Sequence, residues 1–437
     1  MRRMTRNLLV ISFDGLSTLD FEYLKALPNF RIFLEKASFA QRVYSVYPSL
    51  TYPAHVSIVT GKYPKNHGIV NNTLFQPYRE SPDWYWQRKY IEGDTLFDLA
   101  LDKGMKVAAL LWPVTGKSKI TYNMPEVLAN RPWQNQIIVS LLNGSPWYQW
   151  TMNKKFGYLR NGIHQPELDN FTHQSLLYTL AHKKTDLTLV HYTELDSMRH
   201  YHGFHSPEAL TALEHHDQRL GEILSILQQQ ESFEESTVVI LGDHGSLDED
   251  HVIKLNILLK DHGYIDLDMK GRLKDYRAIV QSCDGSAYVY LNPRHPKDPK
   301  DVKNLHLLLE DFKLKTGALE GIYSSADAIK WGADPQCAFL LEAAYGYYFL
   351  NLFEGTVIER IKPEDIGVLH HRTMAAHGYS PFKKDYTTVF MASGAGIKEG
   401  VRLGEISLVD EGPTLARLLG ISLEEADGRI LDEILNL

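Results

Sequence analysis

Apolar positions along this chain fall into two kinds of run. Short unbroken ones, Leu8 to Phe13, Val107 to Leu111 and Thr237 to Leu241, read as strands buried on both faces, since a half-exposed strand would alternate with polar residues. Asp186 to Tyr192 and Thr388 to Ala392 have the same texture. Between them the spacing turns helical. Asp94 reads as an N-cap and Gly104 as the closing residue of a helix with Leu96, Leu99 and Ala100 on one face. Ser206 and Pro207 open a longer helix whose apolar face carries Leu210, Leu213, Leu220, Leu224 and Leu227, with Asp217 among them as a satisfied buried carboxylate. Pro413 to Leu419 is a last helix, closed by Gly420. Strands alternating with helices predict an α/β fold around a mostly parallel central sheet.

Two stretches break the rhythm. From Lys117 to Lys184 the chain is rich in Trp, Tyr, Asn and Pro, with one helix expected near Gln174 to Ala181; loops and short helices walling a pocket are the expectation. From Tyr276 to Arg360 short alternating runs (Ala287 to Leu291, Tyr347 to Leu352) flank a charged helix from Pro299 to Lys315. This predicts a smaller α+β lid, residues 276–360, inserted into a catalytic core formed by 1–275 and 361–437.

Composition narrows the functional classes. Fifty-four acidic against 46 basic residues leave a charge of −8, so a nucleic acid polymer is not an expected partner. No apolar run approaches the ~20 residues that span a bilayer, and no membrane partner is expected. The basic Met1 to Asn7 leads into an apolar run that stops at Asp14-Gly15 without a small-residue cleavage site, which does not read as a signal peptide. With only Cys283 and Cys337, the expected compartment is the cytoplasm.

The candidate chemistry sits where the strands end. Asp14 follows the first strand, Asp196 and His200 follow the one ending at Tyr192, and Asp243-His244 follow the one ending at Leu241; open parallel sheets put their sites at that edge. Mixed carboxylates and imidazoles, with His377 added, suit two divalent ions, zinc by preference with manganese or iron as alternatives. Three carboxylates against two dications leave about one positive charge, matching a phosphodiester monoanion. Thr51, ahead of the apolar run Val56 to Val59, reads by itself as a helix N-cap.

Together, Asp14, Thr51-Tyr52-Pro53-x-His55, the following Thr60-Gly61-x-Tyr63-Pro64-x-x-His67-Gly68, Asp196-x-x-x-His200, Asp243-His244-Gly245 and His377-Gly378-Tyr379 resemble the nucleotide pyrophosphatase/phosphodiesterase family of the alkaline phosphatase superfamily. The resemblance implies an alkaline-phosphatase-like core. It also implies that Asp14, Thr51, Asp243 and His244 hold one metal and Asp196, His200 and His377 the other. Thr51 would be the nucleophile, passing through a threonyl-phosphoryl intermediate; Asn72 would donate to a phosphoryl oxygen, and Tyr52 would line the substrate pocket. Ala54 stands where the family often has asparagine, which leaves leaving-group selectivity open.

The expected activity is metal-dependent cleavage of phosphodiester or nucleotide pyrophosphate bonds in a small-molecule phosphoester. A phosphomonoesterase or phosphonate hydrolase on the same site, and a metal-stabilised binding protein without turnover, stay open.

Overall fold

The computed structural model describes residues 2–295, 298–369 and 371–436. Its centre is β1 (Asn7–Phe13), in which every residue after Asn7 is buried. Each aliphatic side chain so buried contributes about 1.5–3 kcal/mol, and a sheet covered on both faces demands it at every position, hence the unbroken run. Around it lie β2 (Ser38–Tyr44), β3 (Val107–Leu110), β4 (Tyr122–Met124), β5 (Leu187–Tyr192) and β6 (Ser236–Leu241). The order is β2, Thr388–Gly394, β6, β1, β5, β3, β4, with the short strands Arg402–Leu403 and Ile406–Ser407 on the outer side of β2. From β6 to β4 every pairing is parallel; Thr388–Gly394 alone runs against both its neighbours.

Register sets the site. Phe13 pairs with Tyr192 and Ser12 with Leu241, so the residues just beyond β5, β1 and β6 emerge side by side. Apolar cores cover both faces of the sheet.

Several boundaries shift. Thr95, not Asp94, caps the helix Leu96–Asp102, its hydroxyl accepting from Asp98 N–H. Gly104 closes it as expected, at φ +75°. The helix expected near Gln174 to Ala181 runs from Glu167 to His182. On Pro207–Gln228, Leu213, Leu220 and Leu227 are buried while Leu210 is exposed at the rim. Asp217 is satisfied: its carboxylate accepts from the N–H groups of Asn29 and Phe30 and from the Asn29 amide.

The inserted unit is a four-stranded antiparallel sheet (Ala278–Cys283, Ser286–Leu291, Phe339–Ala343, Leu319–Ser324) with the helix Pro299–Thr316. Its apolar core draws in Ile253, Leu255, Leu259, Tyr264 and Ile265 from the chain ahead of residue 276. It also holds Tyr47, Leu50, Tyr379 and Tyr386 from the catalytic body. The unit is therefore packed onto the site's own segments. A further strand, β7 (Leu247–Ile253), leaves the Asp243-His244 turn and pairs with Ala375–Ala376, delivering His377.

Candidate active site

Thr51 is the first residue of the buried helix Thr51–Thr60, and Leu50 takes the cap position. The capping role open to Thr51 in the sequence is thus unused, and its Oγ1 lies 3.3 Å from His244 Nε2. His244 Nδ1–H donates to Gly245 O at 3.1 Å, which leaves Nε2 as a bare lone pair. Around that lone pair stand Asp14 Oδ1 at 3.3 Å and Asp243 Oδ2 at 3.2 Å. Among the described residues neither carboxylate oxygen has a hydrogen-bond donor, although both are buried. Acceptors converging with no proton between them repel one another, and a cation among them removes the conflict.

The second group adjoins the first. Asp196 and His200, one turn apart on the helix Glu194–His202, meet at 3.2 Å, and Asp196 Oδ1 faces His377 Nε2 at 3.8 Å. His200 Nδ1–H donates to Ala375 O, turning Nε2 inward. Two triads of donor atoms result, each mutually within 4.8 Å: Asp14, Asp243 and His244, and Asp196, His244 and His377. His244 belongs to both, where the sequence reading gave it to one. His200 lies outside the tightest triad, against Asp196 Oδ2 and with its ring 5.1 Å from that of His377.

Electrostatics point the same way. Burial, reinforced by the charges of Asp243 and Asp196, pushes Asp14 well above the carboxylate range. Burial also lifts Asp243 to about 6, against the pull of His191. Burial holds His244 down to about 4, and burial plus the neighbouring His244 does the same to His377. For His200 burial is outweighed by Asp196, which raises it to about 9; Asp196 in turn is held far below its usual range despite burial, chiefly by His200. Crowded carboxylates beside the neutral imidazoles of His244 and His377, with His200 held charged by Asp196 until a cation takes the place of its proton, form a donor set that fits two divalent ions.

Of the other expected residues, Asn72 accepts through Oδ1 from Tyr52 N–H at 2.9 Å. This fixes its amide plane and leaves Nδ2–H2 as a free donor among the described residues. Tyr52 needs a correction. Its ring is 1 % exposed, set edge-on to Trp84 in a cluster with Val56, Ile69 and Val114, and its hydroxyl donates to Glu126 at 3.3 Å. Core packing takes the ring that was expected to line the substrate pocket.

Three residues escaped the sequence reading, and a fourth, His55, stood in the Thr51 motif without an assigned role. His191, inside an apolar strand, reaches Asp14 Oδ2 at 3.1 Å and Glu126 at 3.4 Å; burial disfavours its charge, but those two carboxylates raise its pKa well above normal. His55 donates through Nδ1–H to Thr51 O and accepts at Nε2 from Ser12 Oγ. Arg199, fully buried, donates to Gly15 O and to Asp20 Oδ1 at 2.6 Å, tying the turn after Asp14 to the helix that carries Asp196 and His200. Asp284, at the turn between two strands of the inserted sheet, is raised by burial and drawn down by His377 and His200. A histidine inside an otherwise apolar buried strand was the local signal for His191; Arg199 and Asp284 depend on long-range contacts. Gly378 is a constraint of another kind: at φ +82°, a Cβ there would lie 1.8 Å from Cys283 O.

A family model described as type I phosphodiesterase / nucleotide pyrophosphatase matches residues 8–380. The human ectonucleotide pyrophosphatase/phosphodiesterase family member 5 is 23 % identical over 59 % of this chain and 49 % of its own, so the chain spans about half the length of that relative. The rat family member 7 is 21 % identical over 98 % of this chain and 86 % of its own. A solved structure of the inactive murine family member 5 in complex with AMP superposes with a TM-score of 0.67 at 18 % identity, covering 99 % of this chain and 100 % of that one.

Proposed function

On the premise that the chain belongs to the type I phosphodiesterase / nucleotide pyrophosphatase family, we propose that it hydrolyses phosphodiester or nucleotide pyrophosphate bonds through a phosphorylated Thr51. The observation that carries this reading is the Thr51 hydroxyl, 3.3 Å from His244 Nε2 where the two donor triads overlap. Metals in these sites, held by Asp14, Thr51, Asp243 and His244 and by Asp196, His200 and His377, would offset phosphoryl charge and make the threonine hydroxyl easier to ionise. Zinc is the proposed ion, supported by the carboxylate and imidazole donors.

The chain's own residues supply the rest. Thr51 Oγ1 attacks phosphorus; the new O–P bond forms as the bond to the leaving oxygen breaks, and that oxygen keeps the electron pair. Water then displaces the threonine oxygen and returns the hydroxyl. Asn72 Nδ2–H2, oriented by the bond its Oδ1 accepts from Tyr52, donates to a phosphoryl oxygen as charge builds there. The N-terminus of the helix Thr51–Thr60 adds its partial positive charge. His191 and His55 orient Asp14 and Thr51 from behind. A nucleotide substrate is supported by AMP in the murine relative. A cytoplasmic location belongs to the same proposal, supported by two unpaired buried cysteines.

The test is turnover of bis-p-nitrophenyl phosphate, p-nitrophenyl phosphate and p-nitrophenyl thymidine monophosphate, with metal content measured in parallel. We expect the diesters to be preferred, activity to vanish on chelation, and Thr51→Ala to lose turnover while keeping its metals. Preference for the monoester would move the reading to a phosphatase; near-normal activity of Thr51→Ala would remove the covalent route.

A further inference from the structure

We propose that the two helices Gln136–Asn143 and Pro146–Phe156 form a peripheral docking surface for an anionic lipid bilayer. Loops and short helices walling a pocket were expected in this region, yet none of the eight residues of Gln136–Asn143 is buried. The helix is nevertheless firmly placed. Asn135 accepts from the N–H groups of Ile137 and Ile138, Gln136 bonds Val127 O and Ala129 N–H, and Asn143 Oδ1 accepts from Gln87. Polar groups fix the helix to the body while Ile137, Ile138 and Leu142 face water.

The neighbouring helix extends the exposed apolar surface. Trp147 and Trp150 are 84 % and 56 % exposed, and Trp133, just ahead of the first helix, is 80 % exposed. Six large apolar side chains exposed within eighteen residues, on and just ahead of two adjoining helices, are uncommon on a monomer and mark an interface. Trp147, Trp150 and Lys154 stand three and four residues apart, on one helix face. Trp and Lys side by side are the residues that settle at a membrane–water boundary, the indole among headgroups and the ammonium toward phosphate.

Charge selects the partner. Between Glu126 and Glu167 there is no acidic residue in a chain of net charge −8. Lys154, Lys155 and Arg160 are exposed, and among the described residues none makes a salt bridge; Lys155 lies over Tyr178 and Arg160 over Phe171. Arg131 is excluded from this set because Asp83 holds it at 2.5 Å. At physiological ionic strength charges beyond about 8 Å are screened, so this local excess acts despite the negative total. A second copy meeting the same face would bring these cations together, which argues against a symmetric dimer here. The surface needs no spanning segment; among the described residues no helix is long and apolar enough to cross a membrane.

Co-sedimentation of the full chain with vesicles tests this without reference to turnover. The vesicles are phosphatidylcholine alone or phosphatidylcholine with about one-third phosphatidylserine, each at low and high salt. Partition onto the anionic vesicles should exceed that onto the neutral ones at least tenfold and fall with salt. Lys154→Glu with Lys155→Glu should lower it about tenfold or more, each basic residue near the surface being worth roughly fivefold. Trp147→Ser with Trp150→Ser should do likewise while the melting temperature holds. Failure of the wild-type chain to bind, or binding indifferent to both double variants, overturns the proposal. So does a dimer in sedimentation velocity that Trp147→Ser with Trp150→Ser dissociates, which would assign the face to self-association.

Discussion

The imidazoles of His244 and His377 lie face to face, ring centroids 3.9 Å apart and planes 19° from parallel. Two imidazolium ions could not stack so closely in a buried site, and both rings are held neutral, their pKa values down to about 4. Each therefore offers a lone pair at neutral pH.

His377→Ala should consequently empty one half-site and spare the other, since Asp14, Asp243 and His244 remain. Elemental analysis should fall from about two to about one ion per chain. Two ions retained would remove His377 from the ligand set.

Asn72 has a separable pair of roles. Asn72→Asp keeps the acceptor for Tyr52 N–H but replaces the amide donor by a second acceptor. We expect kcat to fall by about 10²-fold or more with metal content unchanged, the scale of losing one donor to a developing oxyanion. A loss confined to KM would instead mean ground-state binding.

Arg199 is a positioning residue. Arg199→Met fills similar volume but strands the Asp20 carboxylate and Gly15 O. Breaking a buried pair from one side costs about 3–5 kcal/mol, and a chemical denaturation midpoint should register it. Adding Asp20→Asn should recover part of the loss; no recovery would place the effect elsewhere.

His67 gives a pH signature away from the metal ligands. Its Nδ1 accepts from Ile69 N–H, so the proton sits on Nε2, bonded to Ser57 Oγ, and burial lowers the pKa to about 3. The folded pKa lies below the unfolded value of 6.5. The unfolded chain therefore takes up the proton first, and stability, full above about 6.5, declines as pH drops from there toward 3. Unfolding free energy measured across that window should fall by a few kcal/mol, and His67→Gln should flatten the slope.

Much of this site was legible in the chain because one physical demand wrote it there. A parallel strand buried on both faces needs an unbroken apolar run, so its end is marked by the first polar residue, and Asp14, Asp196 and Asp243 follow three such ends. The sequence also set the helix from Ser206 and the satisfied state of Asp217, since caps and apolar spacing are local. Tertiary structure decided what depends on distant partners. Tyr52 turned inward because Trp84 and Glu126 wait there, not because its own neighbours require it. His244 came to serve both donor triads because β7 pairs with Ala375–Ala376, a contact more than 120 positions apart in the chain. Arg199 and Asp284 carry no local pattern at all, and His191 only that of a polar residue in an apolar run: their significance lies in which carboxylates, carbonyls and imidazoles the sheet register and the inserted unit bring against them.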